Sequence, residues 1–119
     1  MLVVDGTDLS AYIKDEGDYI EYEKVKGKHG GIVLSGQEIE ETLAIKVILE
    51  YECEILTLDQ FKRLTDIFKK EVVSVTYFEP NLKSQRTASM KPQTLSGKKA
   101  LETDGEYYYD EVVIGFRED

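Results

Sequence analysis

From Thr42 to Leu56 apolar and polar positions alternate along the chain. Leu43, Ile45, Val47, Leu49, Tyr51, Cys53 and Ile55 share one parity; Lys46, Glu50, Glu52 and Glu54 occupy the other, with Ala44 and Ile48. A period of two is that of a strand with one buried face, because successive side chains point to opposite sides. The run is longer than the usual strand of about five or six residues, which predicts a central strand spanning a sandwich or barrel.

The period then changes. Leu58, Phe61, Leu64 and Phe68 recur at helical spacing with Ile67 beside them, while Lys62, Arg63, Asp66 and Lys69 take the opposite side. Thr57 and Gln60 have the spacing of a capping box, in which each side chain satisfies the other's backbone N–H. Lys69 and Lys70 close the segment at the end where the helix dipole favours cations. Together these predict one helix over about 57–70, flanking the sheet.

On either side the pattern is again that of strands. Leu2-Val3-Val4, stopped by Asp5-Gly6 and followed by Leu9 to Ile13, predicts a tight N-terminal hairpin. Tyr19 to Val25 is rich in aromatic and β-branched residues, and Val72 to Phe78 ends in the turn signal Glu79-Pro80-Asn81. Gln85 to Leu95 alternates weakly around Pro92, which cannot donate to a ladder, so an edge or bulged strand is expected there. Gly97 and the stretch Glu102-Thr103-Asp104-Gly105 read as turns, and Glu106 to Arg117 as a closing strand. Strands with one inserted helix predict a mainly β, antiparallel sandwich or barrel flanked by a helix. With no linker or repeat, residues 1–119 are expected to form one domain.

Residues 26–41 break the pattern. Gly27, Gly30, Gly31 and Gly36 accompany Lys26, Lys28 and the only histidine, His29, which predicts a long exposed loop or an extended hairpin. Loops of this length in compact domains are usually functional. Lys26, Lys28, His29, Ile32, Val33 and Leu34 are therefore the candidate assembly interface.

Composition narrows the function. The 119 residues carry a net charge of −9, the wrong sign for a broad phosphate-binding surface or an anionic membrane. An acidic surface confers solubility, or forms a wall past which another polyanion slides without sticking. No apolar run reaches the roughly 18 residues of a membrane helix, and Asp5, Asp8 and Asp15 interrupt any leader-like N-terminus. Cys53 is the only cysteine, which excludes an intramolecular disulfide and predicts a buried thiol.

Candidate chemistry changes little. The run Gly27-Lys28-His29-Gly30-Gly31 lacks the spacing of a phosphate loop, and no helix follows it. Glu50, Glu52 and Glu54 form a row spaced roughly 7 Å apart, better read as an acidic face than as an acid–base pair or calcium site. Tyr107-Tyr108-Tyr109 cannot form one stacking platform, because neighbours on a strand face opposite ways. The expectation is a module that binds other proteins, with no catalytic, metal or cofactor residues.

The opening Leu2-Val3-Val4-Asp5-Gly6-Thr7-Asp8-Leu9-Ser10-Ala11-Tyr12-Ile13 resembles the start of many small phage and prophage tail proteins. The long strand followed by a capped helix, the Tyr77-Phe78-Glu79-Pro80 turn and the Tyr-rich closing strand ending Gly115-Phe116-Arg117-Glu118 are similar to that group. The resemblance implies a structural component of a phage or phage-like tail, whether tube, tube-end adaptor or baseplate. It further implies a homo-oligomeric ring in the virion tail, made in the bacterial cytoplasm, contacting other tail proteins and passing DNA without binding it. The alternative is a small acidic adaptor or inhibitor that captures a host protein.

Overall fold

The computed structural model describes residues 1–26 and 43–119. The elements in chain order are β1 (Leu2–Val4), β2 (Thr7–Asp8), β3 (Tyr19–Lys26), β4 (Leu43–Glu52), β5 (Leu56–Thr57), α1 (Leu58–Phe68), β6 (Val73–Glu79), β7 (Ser84–Thr103) and β8 (Glu106–Glu118). All pairings are antiparallel, and the strands form one sheet in the order β2-β1-β6-β7-β8-β4-β3, with β5 added to β8. The protein is thus mainly β with one helix. The sheet curls but stays open, so the closed-barrel form of the expected architecture does not occur.

Two of the hairpins are closed by the same device. Asp5-Gly6 joins β1 to β2, and Asp104-Gly105 joins β7 to β8, between the pairs Val4↔Thr7 and Thr103↔Glu106. All four residues have positive φ, between 48° and 80°. That is the two-residue turn whose twist matches the flanking strands. Asp5 also ties the first turn down: its carboxylate accepts the Ser74 N–H at 2.7 Å and pairs with Lys70 at 2.8 Å.

Strand β7 has the expected bulge at Pro92 but is longer than expected and begins between two neighbours. Its first part pairs with β6 up to Val73↔Met90, and its second pairs with β8, so it lies inside the sheet order. Pro92 is tolerated because it falls just beyond the end of the β6 ladder, at a bulge between Pro92 and Thr94. Gly97 does not turn the chain; it lies within β7 at the next irregularity, under Phe61 and Val112. A Cβ there would sit 3.0 Å from both side chains, so the residue is small because the helix packs on that spot.

Strand β4 lies one place in from the β3 edge, off the centre of the sheet. Its alternation holds in the middle, where Val47, Leu49 and Tyr51 are buried with Cys53 just beyond, and fails at both ends: Ile45 is 55% and Ile55 59% exposed. After Cys53, which bridges to Ile13, the chain leaves the ladder and re-enters as β5, so Leu56 takes the buried place the parity assigned to Ile55.

The helix lies across the inner face. Its cap has the expected reciprocal bonds between Thr57 and Gln60. Leu64 and Ile67 are buried, and Phe61 and Phe68 are half-buried against the core, whereas Leu58 stays exposed. Phe68 meets Phe116 at 5.2 Å and Phe61 stacks on Tyr109 at 4.5 Å. Burying Leu64 and Ile67 contributes about 1.5–3 kcal/mol each. None of the helices among the described residues is long and apolar enough to cross a membrane.

Candidate assembly surface

The ladders leave specific backbone edges without partners. Strand β8 pairs with β4 only from Ile48↔Arg117 to Glu52↔Val113. On that side Leu43 to Val47 have no neighbouring strand among the described residues, and only the Val47 N–H is taken up, by Glu118 Oε1 at 3.1 Å. Among the described residues, strand β3 pairs with β4 alone, and beyond Met90 β7 pairs with β8 alone. The local order is therefore β7-β8-β4-β3, with an open edge at each end. Unpaired N–H and C=O groups in such edges are a template for another chain.

At the foot of the β3–β4 hairpin a network of polar groups crosses the gap in the sheet. Glu79, 3% exposed at the end of β6, accepts hydrogen bonds from the Tyr22 hydroxyl of β3, the Tyr77 hydroxyl at 2.7 Å and the Asn81 N–H at 3.0 Å. Arg86 donates to the Tyr77 oxygen at 2.9 Å and to Glu118 Oε2 at 2.6 Å. Burial pushes the Glu79 carboxyl up, but these hydrogen bonds and the Arg86 charge outweigh it and hold the group below its ordinary value. Beside the network a cleft of about 220 Å³ is lined by Ile45, Leu82, Tyr22 and Arg86. The first three are exposed apolar or aromatic side chains of the kind that anchor protein interfaces.

The acidic row is partly as expected. The pairs Tyr19↔Glu50 and Glu21↔Ile48 put Glu21, Glu50 and Glu52 on the outer face, away from Leu49 and Tyr51, and all three are exposed. Gly115 lies opposite Glu50 on β8, and a Cβ there would be tight only against Thr94 Cβ, at 3.3 Å, while meeting Glu50 Cγ at an ordinary contact distance of 3.5 Å. Glu54 lies past the end of the ladder, its N–H bonded to the Tyr12 carbonyl at 2.8 Å, so it does not extend the row. On the same face Glu23 is paired with Arg117 at 3.2 Å.

Of the interface expected from the basic segment, Lys26 is the last residue of β3, its backbone paired with Leu43. Lys28, His29, Ile32, Val33 and Leu34 lie outside the described residues. Tyr107, Tyr108 and Tyr109 divide as strand geometry requires: Tyr109 stacks on Phe61, Lys99 lies over the Tyr107 ring at 5.0 Å, and the Tyr108 hydroxyl donates to Glu106 at 3.0 Å. The Glu79 network was not visible in sequence. Its members are scattered over nearly the whole chain, and Glu79-Pro80-Asn81 carries only a turn signal.

No family model matches the chain, and neither a curated protein nor a solved structure matches it.

Proposed function

We propose that the chain is a structural component of a phage or phage-like tail, in the tube, a tube-end adaptor or the baseplate, and that it acts by protein–protein assembly. The observation that carries this reading is the pair of edges, unpaired among the described residues, at opposite ends of the β7-β8-β4-β3 order. Pairing the β3 edge of one copy with the distal β7 edge of the next is a heterologous contact, and such contacts close into rings when the rotation between copies closes. The exposed Ile45, Leu82 and Tyr22 beside the β3–β4 hairpin would be covered by the same assembly or by another tail protein. In a ring with the outer sheet face inward, Glu21, Glu50 and Glu52 would line the channel and repel passing DNA. The protein would be made in the bacterial cytoplasm and end in the virion tail.

A second reading rests on that same acidic face: a small adaptor or inhibitor that captures a host protein with Glu21, Glu50 and Glu52. Light-scattering mass across a concentration series separates the two, using the full chain and a variant lacking residues 27–36. Rings of fixed stoichiometry that are lost on deletion support the tail reading. A strict monomer at every concentration counts against it and favours the adaptor.

A further inference from the structure

The dipeptide Asp-Gly occurs twice, and both copies close a two-residue turn with the same left-handed backbone. The φ angles are 48° and 80° at Asp5 and Gly6, and 51° and 79° at Asp104 and Gly105. No other aspartate in the chain is followed by glycine. At both glycines an added Cβ would meet nothing within 4 Å, so the glycine side of the two turns is equally open. The carboxylates differ. Asp5 is clamped: one oxygen accepts the Ser74 N–H at 2.7 Å, the other holds Lys70 at 2.8 Å, and its own N–H donates to the Ser74 carbonyl at 2.8 Å. The bond to Lys70, then that from Ser74, holds the Asp5 carboxyl below its ordinary value. Asp104 is exposed, and among the described residues its carboxylate takes part in no hydrogen bond or ion pair; Lys99 and the Tyr108 hydroxyl engage the neighbouring Glu102 and Glu106 instead. The strands differ as well. β1 lies between β2 and β6, whereas beyond Met90 β7 has only β8 beside it among the described residues, so the Asp104 turn ends a two-stranded ribbon. Such ribbons are marginally stable by themselves and open locally at low cost.

We propose that Asp104 is a site of spontaneous backbone modification, where aspartate isomerises to isoaspartate, and that Asp5 is protected from the same reaction. The step needs only the chain and water. The Gly105 nitrogen attacks Asp104 Cγ and a C–N bond forms; the C–O bond of the protonated carboxyl breaks, and its hydroxyl leaves with the N–H proton as water. The product is a five-membered succinimide. Water then adds to either ring carbonyl. Cleavage of the original peptide C–N bond leaves the chain running through Cγ, which is isoaspartate, and cleavage of the new C–N bond restores aspartate. Nothing is oxidised or reduced. Glycine allows the reaction because no Cβ crowds the attacking nitrogen. Ring closure requires the carboxyl to swing onto that nitrogen and the turn to leave its left-handed geometry. Asp104 is free to do both, whereas Asp5 must first give up Ser74 and Lys70. Isoaspartate lengthens the main chain by one methylene, so the two-residue turn between Thr103 and Glu106 no longer fits its ladder. The product also carries a free α-carboxylate, the group that an isoaspartyl methyltransferase esterifies with S-adenosylmethionine as methyl donor. The inference does not rest on the tail reading, and the ring measurement above fails independently of the ageing experiment below.

The test is to age the folded, full-length protein for several weeks at body temperature in mildly acidic buffer made with ¹⁸O-water, beside a sample in guanidinium chloride. After digestion in ordinary water, the tryptic peptides Met1–Lys14 and Ala100–Arg117 carry the two sites. Electron-driven fragmentation tells isoaspartate from aspartate in each. In the folded protein isoaspartate bearing one heavy oxygen should accumulate at Asp104 about tenfold or more faster than at Asp5, the factor for giving up a charge-assisted hydrogen bond. In guanidinium chloride the two sites should react at similar rates, because the clamp is gone. Lys70→Met, at an exposed position, should speed the reaction at Asp5 and leave Asp104 unchanged. Isoaspartyl methyltransferase with labelled S-adenosylmethionine should mark Ala100–Arg117 of the aged folded protein and leave Met1–Lys14 unmarked. Absence of isoaspartate at Asp104 in the folded protein would overturn the proposal, as would equal rates at the two sites or faster reaction at Asp5. A bias toward Asp104 that persists undiminished in guanidinium chloride would overturn the assignment to the fold, since flanking residues would then set it.

Discussion

Tyr22 and Glu79 stand 57 positions apart, on strands with no ladder between them, and are joined by a hydrogen bond from the phenol to the carboxylate. This bond ties the β3–β4 hairpin to the β6–β7 turn across the gap in the open sheet. Tyr22→Phe removes one of three donors to Glu79 and should cost about 1 kcal/mol. Glu79→Leu strips the acceptor from Tyr77 and from the Asn81 N–H as well, and should cost about 2–4 kcal/mol. Urea denaturation of the three proteins checks the order; equal stabilities would mean the link carries no load.

The same carboxylate predicts a dependence on pH. Its folded-state value is depressed, so its contribution is fully present above the unfolded value, near 4.5, and is lost as the pH falls through the folded value. The melting temperature of the wild type should therefore drop on acidification below about pH 4.5. In Glu79→Gln that part of the drop should be absent, with a lower melting temperature at neutral pH. Parallel curves for the two proteins would show that other carboxylates govern the acid limb.

Gly97 yields a prediction of opposite character, from space instead of charge. Alanine at this position brings a methyl within 3.0 Å of Phe61 Cε2 and Val112 Cγ2, where the helix closes on the β7–β8 ladder. Phe61 is stacked on Tyr109 and cannot withdraw freely. Gly97→Ala should cost about 1–3 kcal/mol, as overpacking of a closed contact does. Pairing it with Phe61→Leu should recover part of the loss, and a double-mutant cycle by thermal denaturation reads the coupling.

The features legible in the sequence are those set by neighbouring residues. The Thr57–Gln60 cap, the Asp5-Gly6 and Asp104-Gly105 turns and the alternation of Val47, Leu49 and Tyr51 are local signals, and the structure contains each of them. What the pattern misplaced depends on partners distant in the chain. Pro92 marked an edge or bulged strand and sits at a bulge where β7 pairs with β8 alone, but nothing near it reveals that the same strand continues from an inner ladder with β6 that stops two residues earlier. Gly97 read as a turn because its neighbour Phe61 lies 36 positions away, on the helix. The candidate surface divides the same way. Glu50 and Glu52 could be read as an exposed row from parity alone. Tyr51 could be read as core, but that its hydroxyl bonds to no described residue could not.

Cys53 tests how firmly the middle of the molecule is held. Its N–H donates to the Val112 carbonyl at 2.8 Å, it bridges to Ile13, and its side chain is fully buried. Burial, reinforced by the Glu54 charge, pushes the thiol up to about 11. At pH 8 about one thiol in a thousand would then be ionised, and the thiolate is the reactive form. Ellman's reagent should leave the native protein unmodified over minutes and titrate one thiol after denaturation. Because access requires local or global opening, the labelling rate should rise with urea in step with the unfolding equilibrium. Ile13→Ala, which loosens the bridge without touching the thiol, should raise the native rate more than its loss of global stability requires. Labelling of the wild type at the rate of a free cysteine would show that the Ile13–Cys53 junction opens freely, and that the N-terminal hairpin does not seal this edge of the core.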